Sequence, residues 1–165
     1  RNAMFGTPHV HQKRRGASVA LQDFTLLAKL EDFDVETHKI VQKFQKAERH
    51  VLSASIRGNV EQIIFLVIMG AKEQLEERRK KRPPVKTLEI LKSTDIRLEY
   101  LKMQIRKAYK LRQIDEKTHE MWAGMARELG GLLGGWLKKV EPYADSTKGN
   151  QNQQQPSLLS FGAQA

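Results

Sequence analysis

Five basic residues in succession, Arg78, Arg79, Lys80, Lys81 and Arg82, run directly into Pro83 and Pro84. Lysine and arginine neutralise phosphate oxygens, so such a run suits a nucleic-acid backbone or an acidic protein surface. A second set, Lys102, Arg106 and Lys110, recurs every four residues, which places the three along one stripe of a helix, with Lys107 also facing outward. Lys138 and Lys139 make a third. If the three segments are neighbours in the fold, they form one continuous phosphate-binding surface. Few aromatic residues accompany these charges, so contact with the phosphate backbone is expected rather than reading of bases.

Charge over the whole chain agrees. The formal net charge is +10, and residues 34–141 alone carry 23 basic against 15 acidic side chains. Catalytic patterns are missing. There is no glycine-rich phosphate loop, no HExxH and no GxSxG, and the glycines at 130–135 follow no strand. The chain has no cysteine, which excludes disulfides, thiolate zinc ligands and a thiol nucleophile. His9 and His11 are two potential ligands without a third, and His38, His50 and His119 have no partner at a ligating spacing, so neither a metal nor a cofactor is expected. The reading is of a binding protein, not an enzyme.

The elements that must position these charges are helical. Asp34 is suited to cap a first helix bearing Val35, Ile40, Val41 and Phe44, which ends near Lys46 to His50. A second helix carries Leu52, Ile56, Val60, Ile63, Ile64, Val67, Ala71 and Leu75 on one face, and its stretch IIFLVIMGA is apolar nearly all round. Burial is therefore expected both within a subunit and against another. The basic run and the two prolines end that helix. A third spans Val85 to Arg112, with Leu91, Leu98 and Ile105 seven apart and Thr94, Leu101 and Ala108 as the offset series. Asp115 then caps a last helix with Trp122, Met125, Leu129, Leu132, Leu133, Trp136 and Val140 on one face. Short connections make the neighbours antiparallel. An all-α, antiparallel four-helix bundle over residues 34–141 results.

Outside that core, Arg1 to Ala3 precede Met4 as a tag scar, and residues 4–33 read as an N-terminal arm, partly disordered, whose Phe24, Leu27 and Leu30 suggest a short docking helix. Residues 142–165 are rich in Gln, Asn, Ser and Gly and read as a disordered tail, with Leu158, Leu159 and Phe161 as a small apolar cluster. No uninterrupted run of 18 apolar residues and no signal peptide are seen, so a cytoplasmic protein without a membrane partner is expected. One anomaly stands out in the last helix. Gly130, Gly131, Gly134 and Gly135 cost it about 0.5–1 kcal/mol each relative to alanine. A strip without side chains lets another helix come close, and that contact is expected to offset the cost.

Residues 93–140, STDIRLEYLKMQIRKAYKLRQIDEKTHEMWAGMARELGGLLGGWLKKV, resemble the accessory variability determinant (Avd) of bacterial and phage diversity-generating retroelements. The likeness lies in the third helix, LxxLKxxIRxAYxLRxID, and in the closing GxxLGGWLKxV, and extends more loosely upstream through Arg49, Leu52 and Ile56. It implies a four-helix bundle assembled as a barrel-shaped homopentamer, in which the glycine strip and Trp136 serve packing. It also implies an accessory role without catalysis, with a reverse transcriptase, its template RNA and the DNA copied from it as partners in mutagenic retrohoming. Avd is also similar to the four-helix proteins encoded in ribosomal RNA intervening sequences, which have no retroelement, and a scaffold for an acidic protein is a further alternative. The positive charge of the core favours the Avd side.

Overall fold

The computed structural model describes residues 17–145, with side chains over 25–144. Four long helices, α1 (Ala17–Val41), α3 (Leu52–Arg79), α4 (Val85–Lys110) and α5 (Glu116–Asp145), and one helical turn, α2 (Lys46–Arg49), account for nearly all of it, with no strand among the described residues. Each long helix packs against two others in the cyclic order α1, α3, α4, α5. Cross-helix contacts run antiparallel. On α3 and α4, Asn59 bonds Gln104 while Glu77 bonds Thr87, and on α4 and α5, Lys92 pairs with Glu141 while Lys102 lies over Gly130.

The core follows the helical spacing. Leu91, Leu98 and Ile105, with Thr94, Leu101 and Ala108, are all buried on α4, and Trp122, Ala126, Leu129, Leu133, Trp136, Val140 and Ala144 form one buried row on α5. Trp122 stacks on Phe33 with ring centroids 6.5 Å apart and donates its indole N–H to Thr37 Oγ1 at 3.0 Å. Trp136 donates to Gln74 Oε1 at 3.2 Å. Both indoles thereby satisfy their polar edge inside an apolar layer. By length and composition, the segment Lys46–Arg79, which includes α3, is apolar enough to cross a membrane. In the bundle its Ile56, Val60, Ile63 and Val67 are buried core residues.

Two boundaries differ from those expected. Asp34 does not start the first helix; it lies in the middle of α1, which already runs from Ala17 and buries Leu26, Leu30 and Phe33 against the bundle. The residues assigned to the arm thus supply part of the core, with Phe33 stacking on Trp122 of α5. At the other end Pro142 does not close α5, which continues to Asp145 with Ala144 buried. Pro142 lacks the N–H that would donate to Lys138 O, and α5 runs on past that missing bond. Val35 and Leu75, expected in the core, are exposed. His9, His11 and the cluster Leu158 to Phe161 lie outside the described residues.

The helix ends are built from specific bonds. α3 and α4 both finish in a Schellman motif: Arg82 N–H donates to Glu77 O and Lys81 N–H to Arg78 O, and likewise Gln113 to Ala108 and Arg112 to Tyr109. Asp115 caps α5 as expected, its Oδ1 accepting from Thr118 N–H at 2.8 Å. Hydrogen bonds from the Thr118 side chain and then its backbone hold that carboxyl below the usual 3.8.

Candidate nucleic-acid interface

The antiparallel order brings the end of α3, the start of α4 and the end of α5 to one end of the bundle. Arg78, Lys81 and Arg82 meet Lys138 and Lys139 there, around a cleft of about 790 Å³ floored by Pro83, Pro84 and Val140. Arg78, Lys81, Arg82 and Lys138 pair with no carboxylate among the described residues. Arg79 and Lys80 point elsewhere. Both pair with Glu76, at 2.9 and 3.3 Å, and these bonds, Arg79 first, hold its carboxyl below the usual 4.5. Of the five consecutive cations, three therefore serve the cleft and two are committed to a neighbour.

A buried carboxylate fixes this end. Pro84 occupies the N-cap of α4 and offers no side-chain acceptor. Glu77, only 3% exposed, reaches across from α3 instead: its Oε1 accepts from Lys86 N–H at 3.0 Å, and its Oε2 from the Thr87 hydroxyl at 2.6 Å. The first-turn donors that a Ser or Asp cap would satisfy are thus met from another helix. The turn from Lys80 to Pro84 is held from both sides, and the cations on it with it. Spacing gives no hint of this role, since the pair lies ten residues apart across a turn.

The α4 cations form a second group. Arg106, Lys107 and Lys110 line a concavity of about 590 Å³ with Val51, Ser55 and Tyr100, against the start of α3. Along α4 this lies roughly 35 Å from the cleft at Pro84, at 1.5 Å per residue. The continuous surface expected from the sequence is therefore two surfaces at opposite ends of the bundle. Lys102 belongs to neither: its ammonium pairs with Glu99 and lies over α5, where a Cβ on Gly130 would stand 3.2 Å from it. A four-residue step advances 40° beyond a full turn, and that drift carries Lys102 to the α5 side while Lys110 faces solvent.

A single tyrosine sits in each place. Tyr143, 68% exposed, lines the end cleft, and Tyr100, 46% exposed, the α4 concavity. Tyr143 lies in the segment that composition alone assigns to the tail. Among the described residues no group of three or more His, Cys, Asp and Glu is placed to hold a metal ion.

The glycine strip is only partly a packing device within the chain. Gly130 is pressed on α4 by Lys102 and Leu98, but a Cβ at Gly131, Gly134 or Gly135 would meet nothing within 4 Å among the described residues. At Gly70 of α3 a Cβ would be in ordinary van der Waals contact, 3.4 Å from Ile90 and Leu91 and 3.5 Å from Trp136. Trp136 thus fills space beside a glycine of another helix.

A family model described as bAvd-like matches residues 24–140, from early in α1 almost to the end of α5. The chain belongs to the bAvd-like family. No curated protein and no solved structure matches it. The bAvd-like match begins ten residues before Asp34, which agrees with Leu26, Leu30 and Phe33 being core residues. An Avd-type accessory protein built as a helical bundle is the identity this supports.

Proposed function

We propose that this protein is a non-enzymatic accessory factor of a diversity-generating retroelement, which assembles as a barrel-shaped homopentamer and holds the reverse transcriptase together with its template RNA and the DNA copied from it. One observation carries the nucleic-acid part: segments some sixty residues apart in sequence converge their cations, Arg78, Lys81 and Arg82 with Lys138 and Lys139, on one cleft that, among the described residues, no carboxylate but the buried cap Glu77 lines. The bAvd-like family membership supports the retroelement context.

Two basic groups at opposite ends of a bundle suit an adaptor that grips a long polyanion at more than one place. The test is binding of a labelled structured RNA, followed by fluorescence anisotropy at several salt concentrations. Lys138→Glu with Arg82→Glu, and separately Arg106→Glu with Lys110→Glu, are expected each to weaken binding and to reduce the slope of log K against log salt by about 1–2, with helicity unchanged. A variant pair that binds as the wild type does removes its surface from the reading. Binding to polyglutamate as tight as to RNA would instead favour a scaffold for an acidic protein.

A further inference from the structure

A third concavity, of about 400 Å³, lies on the other flank of α3, where the end of α1, α2 and the first turns of α3 meet. Its rim carries His38, Arg49, His50 and Arg57, and its floor is Val41 and Ser53. No carboxylate among the described residues lines it. Arg49 is oriented by donating to Phe44 O at 3.2 Å, His38 Nε2 lies 2.6 Å from Gln42 Nε2, and the Arg57 side chain has no hydrogen bond or ion pair among the described residues. Two guanidinium groups and two imidazoles on one hollow make a donor set for phosphate oxygens. Sequence spacing does not group them, because they come from three elements.

Its position gives the source of that phosphate. Val51, Leu52 and Ser55 line the α4 concavity, whereas Ser53, Ala54 and Arg57 line this one. The two hollows therefore flank the same turns of α3 and are separated by one helix width, about 10–12 Å. The outer surface between them is low. Ala54 is exposed there, as is Gly58, where a Cβ would meet nothing within 4 Å.

We infer that a nucleic-acid strand bound at Arg106, Lys107 and Lys110 continues across Ala54 and Gly58 and seats a backbone phosphate among His38, Arg49, His50 and Arg57. The inference rests on the proposed nucleic-acid function and extends it to the far flank of α3. Free phosphate offers the same oxygens, but it has no reason to favour a hollow that continues an existing basic surface.

Histidine-ring NMR of the full chain, titrated with a 12-nucleotide single-stranded RNA and in parallel with inorganic phosphate, tests it. The ring signals of His38 and His50 should move and saturate with RNA at concentrations at least a hundredfold below any effect of phosphate, while His119 stays still. Arg57→Glu should abolish those movements, lower RNA affinity on the order of tenfold at low salt and reduce the salt slope by about 1. Lys72→Glu, an equal change of net charge elsewhere on α3, should do none of this. RNA binding by anisotropy with His38 and His50 unmoved overturns the inference and leaves the proposed function standing. Equal response to phosphate and RNA overturns the continuous strand. No RNA binding by the wild-type chain at all overturns both.

Discussion

Lys81 and Arg112 are the non-glycine residues with positive φ among the described residues, at 51° and 54°. Each sits just past a helix end, in the left-handed position of a Schellman motif that glycine usually fills. A side chain there costs on the order of 1 kcal/mol, because its Cβ crowds the following carbonyl. Both residues are basic, but only Lys81 lines the end cleft. That difference separates stability from binding. Arg112→Gly is expected to raise the unfolding free energy by about 1 kcal/mol in urea titration, with the slope unchanged and RNA binding little affected. Lys81→Gly should give a similar gain and yet weaken RNA binding. A Lys81→Gly protein that is both more stable and equally avid would mean that the strained position has no role in the cleft.

At the scale of elements, the joint between α3 and α4 depends on Glu77. Its carboxylate supplies the acceptors that Pro84 cannot, and removing them leaves the buried Thr87 hydroxyl and the half-buried Lys86 N–H without that partner. Glu77→Ala should therefore cost about 1–3 kcal/mol, read by urea unfolding. Glu77→Gln, which keeps one acceptor oxygen but turns an N–H2 toward donors, should fall between the two. An unchanged Glu77→Ala midpoint would place the cap elsewhere. This dependence also marks the limit of what the sequence discloses. α4 and α5 are legible because heptad spacing on Leu91, Leu98 and Ile105 and the Asp115 cap are local patterns. α1 is legible only in pieces, a docking helix at Phe24, Leu27 and Leu30 and a helix from Asp34, since the partner that buries Phe33 between them lies ninety residues away in Trp122. The candidate site divides in the same way. Runs such as Arg78 to Arg82 are visible, whereas their division between the cleft and Glu76, and the joining of Arg57 to Arg49, depend on packing between helices.

Over the whole molecule, the surface left on a single copy of the chain argues for assembly. Phe65 is 58% exposed, with Ile68 and Met69 three and four residues on and Leu75 a further two turns along α3 also exposed, and Ile96, 71% exposed, lies outward on α4. A row of large apolar side chains at helical spacing is a face that water disfavours, and a second copy of the chain removes it from water. The glycines with open space beside them, Gly131, Gly134 and Gly135, offer a different strip, where backbone rather than side chain would meet a neighbour. Light scattering distinguishes the two. The wild-type chain is expected at about five times 19.0 kDa. Phe65→Asp should lower that mass, because a carboxylate buried in an apolar contact without a partner costs several kcal/mol, while Val35→Asp, exposed on α1 outside the row, should leave it unchanged. Gly134→Leu then reports on the second strip. Within one chain the new Cβ meets nothing within 4 Å among the described residues and glycine's helix penalty is removed, so a folded protein of reduced mass would place α5 against another copy. A more stable protein of unchanged mass would leave the strip facing water, and the α3 and α4 row would then be the assembly surface on its own.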